Sequence, residues 1–243
     1  MVNKRLIWYL GKINWFTPAQ NGFRKYHSTT LHLAQLQNFI SNAFQHSLHV
    51  IAIQLDLQKA YEIVWKKRIV ESLTELGINN NLLHYIKNFL SDRTIQVKVE
   101  ETRSEFRTLE NGVPQGSVIS VTLFLIAIND IIRCIPPSTK ALLYADDLTV
   151  YCSGKSIKNI CELLQETLNN LSTWCEDTGF RFAENKTEYM VFTRSHQYNK
   201  FQPLLSLNNT ILDQRTMPTK NRNSESHWVQ EMGSRYSGPT QLL

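Results

Sequence analysis

The residues best suited to chemistry are three aspartates, Asp56 and the adjacent pair Asp146-Asp147. Phosphoryl and nucleotidyl transfer concentrate negative charge on the reacting phosphate. Two divalent ions about 3.5–4 Å apart can activate the attacking hydroxyl and stabilise the leaving oxygen. Magnesium is a hard ion that prefers carboxylate oxygens, with phosphates and water completing its shell. Such a centre needs two or three aspartates on neighbouring rigid elements. Each aspartate also has an ordinary explanation. An Asp-Asp pair in a turn is usually only solvated, and Asp56 could cap a helix beginning near Leu57. The apolar run ahead of Asp56 favours chemistry, because an unpaired charge there is costly and a bound metal offsets it.

The elements that must position these aspartates are legible from periodicity. Residues 50–55 are apolar and partly β-branched, which predicts a buried strand running into Asp56. Residues 141–144 and 148–151 predict two short strands, with Ala145-Asp146-Asp147 at or near the turn. Adjacent strands would bring the carboxylates together. Helices are predicted over 28–44, with Leu33, Leu36, Phe39, Ile40 and Phe44 in phase and Ser28 or Thr29 as cap, and over 59–76, 80–90 and 117–134. The clearest helix is 156–178, where Ile157, Ile160, Leu164, Leu168, Leu171 and Trp174 share a face. Residues 5–10 read as a helix end, broken by Thr17-Pro18. Residues 94–99 alternate and predict a half-buried strand that pairs with 104–109, and 187–193 predict a final strand. The order is that of an α+β fold with antiparallel strands. Beyond about residue 195 the chain is polar and lacks strong periodicity, so no fold is assigned there.

Composition supports a folded chain and is compatible with a polyanionic partner. The 243 residues are 42% hydrophobic and 19% charged, with a net charge of +5. No acidic residue precedes Asp56, while Lys4, Arg5, Lys12, Arg24 and Lys25 are interleaved with Trp8, Tyr9, Trp15, Phe16, Phe23 and Tyr26. That mixture suits phosphate contact and base stacking. It equally suits a helix with a buried aromatic face and a solvated basic one. Cys134, Cys152, Cys161 and Cys175 form no Cys-x-x-Cys pair, which argues against structural zinc. No signal peptide is visible, and the longest apolar run, 118–128, is too short to span a bilayer. An intracellular setting, cytoplasmic or nuclear, with reduced thiols and no membrane partner is expected.

Tyr144-Ala145-Asp146-Asp147 and Leu55-Asp56-Leu57-Gln58-Lys59-Ala60-Tyr61 resemble the Tyr/Phe-x-Asp-Asp box and the first aspartate block of reverse transcriptases, most closely those of Jockey-like non-LTR retrotransposons. Gly112-Val113-Pro114-Gln115-Gly116-Ser117 resembles the block between the two. Gln20-Asn21-Gly22-Phe23-Arg24-Lys25 and Phe89-Leu90-Ser91-Asp92-Arg93 resemble further segments in the family order, over roughly residues 1–195. The resemblance implies a right-hand polymerase palm, an antiparallel sheet with helices packed on it, with partial fingers and no complete thumb. It implies two magnesium ions, or manganese in their place, on Asp56, Asp146 and Asp147. Leu57, Tyr61, Gln115, Gly116 and Arg24 would contact the nucleotide or a phosphate. The Tyr61 ring would clash with a ribose 2′-hydroxyl and so select deoxynucleotides. Lys186, in Glu184-Asn185-Lys186-Thr187, would protonate the pyrophosphate leaving group. The implied partners are an RNA template, a DNA primer and deoxynucleoside triphosphates.

The chain departs from that pattern at Glu62, where the family usually has aspartate, at Gln54, where an apolar residue is expected, and at Leu31, where an acid is common. None of these removes a metal ligand. The resemblance divides the chain into partial fingers (1–48), a palm (49–195) with an interleaved fingers segment at 66–112, and a tail (196–243). It leads us to expect truncation at both ends. Related elements often carry Trp-Gly-Ala-Asp-Thr downstream. Written TGG GGA GCA GAT ACA after an A and read one nucleotide earlier, that segment encodes the Met232-Gly233-Ser234-Arg235-Tyr236 found here. An out-of-frame tail is the expectation. The leading expectation for function is an RNA-directed DNA polymerase. Two alternatives stay open: a remnant that binds nucleic acid without turnover, and an RNA-dependent RNA polymerase, which Tyr61 argues against.

Overall fold

A computed structural model describes residues 1–195 and 203–215. In chain order it contains α1 (Val2–Lys12), α2 (Thr29–Gln45), β1 (His49–Asp56), α3 (Ala60–Ile63), α4 (Lys66–Glu75), α5 (Asn80–Leu90), β2 (Thr94–Ile95), β3 (Lys98–Val99), β4 (Thr102–Arg103), β5 (Arg107–Thr108), α6 (Val118–Ile128), β6 (Lys140–Tyr144), β7 (Asp147–Gly154), α7 (Ile157–Thr178), β8 (Glu188–Phe192), β9 (Ser206–Leu207), β10 (Thr210–Ile211) and β11 (Asp213–Gln214). The out-of-frame expectation for residues 232–236 falls outside the described residues. No helix among the described residues is long and apolar enough to cross a membrane.

The chain divides into two compact units. One holds a five-stranded sheet in the order β11-β8-β1-β7-β6. β1 is antiparallel to both β7 and β8, β6 is antiparallel to β7, and β11 is parallel to β8. The α+β expectation with antiparallel strands is met in this sheet. Alternation puts Val50 and Ala52 of β1 on one face. There they join Leu142, Tyr151, Met190 and Phe192 against Leu36, Ile40, Ala43 and Phe44 of α2. Ser28 caps α2 as its hydroxyl accepts from the Leu31 N–H. On the opposite face of β1, Ile51, Ile53 and Leu55 are fully buried. The predicted α7 stripe is buried from Ile160 through Trp174. Truncating Phe192 to alanine in such a core costs about 3–5 kcal/mol.

The other compact unit holds α1, α3 to α6 and the short strands β2 to β5. α6 is apolar on every side and buried almost throughout, as its composition demands. The helix predicted over 59–76 is interrupted at Val64 and Trp65. The Val64 carbonyl accepts from the Gly112 N–H, and the Tyr61 carbonyl from the Val113 N–H. Those bonds divert carbonyls that a continuous helix would use. The helix predicted over 117–134 is α-helical only to Ile128 and continues as a 3-10 turn, Asn129–Cys134. Of the alternating stretch at 94–99, Thr94–Ile95 pairs with Arg107–Thr108 as expected, but Lys98–Val99 pairs with Thr102–Arg103 across a tighter turn, and the stretch is not half-buried. β2 to β5 are exposed, and Ile95, Val97 and Val99 are solvent-accessible, because no second layer lies behind the hairpin among the described residues.

Candidate active site

Asp56 is the last residue of β1, and Asp147 is the first of β7. They are direct cross-strand partners, and Asp147 is paired in turn with Tyr144 of β6. Their proximity follows from the register that the apolar faces of β1 and β7 impose. Asp146 sits in the turn before β7. Gln54, Asp56, Asp146, Asp147, Asn185, Lys186, Thr187, Glu188 and Asp213 together line one cavity of about 520 Å³. The sheet face that is apolar at Val50 and Ala52 therefore turns polar at Gln54 and Asp56, where the cavity opens.

The β6–β7 turn is held from outside the hairpin. Ala145 adopts a left-handed backbone, φ 58°, which costs energy for a residue with a Cβ. The Gln20 side chain brackets it. Its Oε1 accepts from the Ala145 N–H at 3.1 Å and the Gly22 N–H at 2.8 Å, and its Nε2 donates to the Ala145 carbonyl at 3.4 Å. The Asn21 N–H donates to the Leu143 carbonyl at 2.7 Å. A Cβ on Gly22 would lie 2.2 Å from the Ala145 nitrogen, so only glycine permits this approach. The block containing Gln20 and Gly22 thus sets the position of Asp146 through backbone contacts.

Lys186 lies in a 3-10 turn, Glu184–Lys186, ahead of β8. Its ammonium donates to Asp56 Oδ2 at 2.9 Å. That bond and the charge of Asp56 push the Lys186 pKa up, with the charges of Asp147 and Asp146 adding to the effect. Burial pushes the Asp146 carboxyl above its ordinary range. A hydrogen bond from its own backbone opposes that shift, the Asp56 charge adds to it, and the Lys186 ammonium opposes it. Among the described residues no three His, Cys, Asp or Glu side chains are already gathered as a metal cage. The donor set still fits a hard divalent ion. Carboxylates lining one cavity disfavour each other's charge, and a cation relieves that repulsion.

The structure places the other expected residues as follows. Tyr61, Gln115 and Gly116 lie in the second compact unit. The ring of Tyr61 stacks on Phe124 at 4.6 Å and 22°. The loop carrying Gln115 and Gly116 is tied to α3 by the bonds from Gly112 and Val113 already described. Gln115 and Gly116 are exposed, and Gly116 has φ 86° with open space where a Cβ would point. Leu57 is buried and forms an isolated bridge with Phe182, so it offers only backbone to a ligand. Arg24 Nη1 donates to the Thr17 and Gln20 carbonyls, each at 3.0 Å, and burial lowers its pKa. This guanidinium braces the loop that clamps Ala145. The aromatics interleaved with basic residues do not form the buried face that composition allowed. Trp8 and Tyr26 are exposed, at 66% and 87%, with Lys12 over the Trp8 ring and Lys25 over the Tyr26 ring.

Sequence reasoning missed several residues that shape the site. Residues 206–214, left without an assigned fold, form a small hairpin and the edge strand β11. The Glu184 carboxylate accepts from Asn208 Nδ2 at 2.9 Å and Thr210 Oγ1 at 2.8 Å, which ties the Lys186 turn to that hairpin. Arg215 pairs with Glu188 at 2.9 Å, and Asp213 is set beside Glu188 in the cavity wall. Strands of two residues carry no period, so nothing in the local sequence marks them.

A family model described as reverse transcriptase (RNA-dependent DNA polymerase) matches residues 1–228. The RNA-directed DNA polymerase from mobile element jockey of Drosophila melanogaster is 30% identical, with 71% of this chain and 19% of the relative covered. The probable RNA-directed DNA polymerase from transposon BS of the same species is 31% identical, with 80% and 22% covered. The chain thus spans about a fifth of the length of these curated relatives. Among solved structures, telomerase from Candida tropicalis in complex with a TWJ fragment of telomeric RNA superposes with a TM-score of 0.62 at 14% identity, covering 90% of this chain and 38% of that one. Telomerase from Candida albicans gives 0.60 at 13% identity, covering 87% and 36%. These likenesses establish a right-hand polymerase fold.

Proposed function

The chain belongs to the reverse transcriptase family, and from that premise we propose that it is an RNA-directed DNA polymerase domain which adds deoxynucleotides to a primer 3′-hydroxyl. The observation that carries this reading is the cross-strand pairing of Asp56 with Asp147 at a cavity that Asp146 and Lys186 also line. Asp56, Asp146 and Asp147 would hold two magnesium ions, with manganese as a substitute. When bound, the ions supply a lowered hydroxyl pKa at the primer end and charge neutralisation at the triphosphate. The residues of the chain do the rest. Asp56 and Asp147 orient the donors from rigid strands. Gln20 fixes the turn that aims Asp146. Lys186, kept protonated by the carboxylates around it, carries the proton suited to the departing pyrophosphate. Tyr61, stacked on Phe124, is the ring that would exclude a 2′-hydroxyl, and Gln115, Gly116 and the Leu57 backbone would border the nucleotide. The exposed Trp8 and Tyr26, each beside a lysine, suit stacking with template or primer bases. An intracellular setting follows from this substrate set.

Primer extension on poly(rA)–oligo(dT) with magnesium, beside Asp146→Ala, tests the reading. We expect dTMP incorporation by the wild-type chain alone. Incorporation no better than the variant, with RNA still retained in a gel shift, would leave a nucleic-acid-binding module without turnover. Incorporation of ribonucleotides only would make the chain an RNA polymerase.

A further inference from the structure

We propose that Gln54 is a positioning residue of this cavity, its side-chain amide oxygen accepting a hydrogen bond from a water in the shell of a divalent ion held at Asp56. The inference rests on the metal-dependent reading above. Gln54 precedes Asp56 by two positions in β1, so both side chains project from the same face of the sheet. Its cross-strand partners are Thr149 of β7 and Glu188 of β8. It is 2% exposed, and it lines the cavity with Asp56, Asp146 and Asp147. Its Oε1 is shut from solvent and has no hydrogen-bond partner among the described residues.

Buried acceptors are nearly always paired, and leaving one unpaired is costly. The rest of the row shows that an apolar side chain is what the strand packs, since Val50 and Ala52 occupy the preceding same-face positions in the core. A carboxamide at this position therefore carries a penalty that the core does not repay. The missing partner must be a donor. Glu188 is an acceptor and is already committed to Arg215 at 2.9 Å. A water bound to a divalent cation is the complementary group. One of its lone pairs is donated to the metal, which polarises its two O–H bonds and makes them stronger donors. Such outer partners fix the orientation of the groups on the ion, and their loss typically weakens metal binding about 10–100-fold. The terminal torsion of Gln is soft, so the role requires only a rotation of the amide toward the cavity that its side chain already lines.

Manganese binding to the chain without nucleic acid, followed by the loss of the free Mn²⁺ electron paramagnetic resonance signal, tests this directly. Gln54→Met keeps the length of the side chain and removes the acceptor. It should weaken Mn²⁺ binding about tenfold while the thermal midpoint in chelator stays level or rises. Gln54→Glu restores an acceptor and should bind at least as tightly as wild type. Asp147→Ala separates the two layers of the argument. Unchanged Mn²⁺ binding in Asp147→Ala would remove the metal reading itself. Weakened binding in Asp147→Ala, with Gln54→Met within twofold of wild type, would overturn the role of Gln54 alone. A Gln54→Met chain that fails to fold would be replaced by Gln54→Leu, read in the same way.

Discussion

Asp56 and Asp147 face each other across the last paired position of the β1–β7 ladder. Two carboxylates fixed opposite one another repel, and the sheet holds them there regardless. Asp147→Asn removes one charge and leaves the shape. It should lower incorporation about 10³-fold, or about 4 kcal/mol of barrier at 1.36 kcal/mol per decade. The thermal midpoint in chelator should hold or rise. A midpoint that falls by several degrees would mean that Asp147 serves packing instead.

The approach of Gly22 to the Ala145 nitrogen gives a test of how the turn is held. Gly22→Ala places a methyl group 2.2 Å from that backbone atom. Overpacking of this kind costs about 1–3 kcal/mol, and here the yielding element carries Asp146. Urea denaturation should show that loss, and extension activity should fall further than stability alone explains. A variant as stable and active as wild type would mean the turn has room to move.

The Lys186–Asp56 ion pair sets a competition. The ammonium occupies the oxygen that a cation would use. Lys186→Met should therefore tighten Mn²⁺ binding in the absence of nucleotide, by up to about fivefold, the upper end of what an exposed ion pair of ~0.2–1 kcal/mol allows. Incorporation should fall in the same variant. Weaker Mn²⁺ binding would show that Lys186 supports the ion in place of competing with it.

His32 supplies a pH test. It is fully buried on α2 with its ring edge-on to Tyr144 at 6.0 Å, and burial depresses its pKa to about 4. The unfolded chain takes up this proton near pH 6.5, so it binds more protons than the fold between pH 6.5 and 4. The contribution of neutral His32 is complete above pH 6.5 and is lost as pH falls toward 4, by about 3 kcal/mol. Urea midpoints at pH 7 and 4.5 should separate strongly for wild type and less for His32→Phe. Equal separation would assign the acid sensitivity to other groups.

Tyr61 stacks on Phe124 with ring centroids 4.6 Å apart and 22° between the planes, a contact that favours one orientation of its ring. Tyr61→Val should raise the use of ribonucleotides relative to deoxynucleotides by at least about tenfold, the scale of a steric exclusion worth about 1.4 kcal/mol. Single-nucleotide extension with each triphosphate would measure the ratio. An unchanged ratio would place sugar selection elsewhere.

The parts of the site that were legible in the sequence are those that local chemistry announces. Residues 50–55 and 148–151 are apolar enough to be strands anywhere, and the aspartates at their ends follow. The contacts of Gln20 with Ala145 were not legible, because a side-chain amide bridging to a distant backbone leaves no periodic trace. The break at Val64 was hidden for a similar reason: no glycine or proline marks it, and its cause is the loop at Gly112. Alternation at Ile95, Val97 and Val99 implied a covered face, but alternation reports only which side chains share a side. Whether a second layer exists is a tertiary fact.

The order of β11-β8-β1-β7-β6 makes β1 a strand without a local partner. Its neighbours are residues 147–154 and 188–192, so during synthesis β1 leaves the ribosome long before either one exists. Its edges then present unpaired N–H and C=O groups beside a run of Val, Ile, Ala and Leu, the composition most inclined to join another chain. Closing such distant pairs is slow. The facing of Asp56 and Asp147 therefore waits until residue 147 has been made, and until then the edges of β1 are open to other copies of the chain.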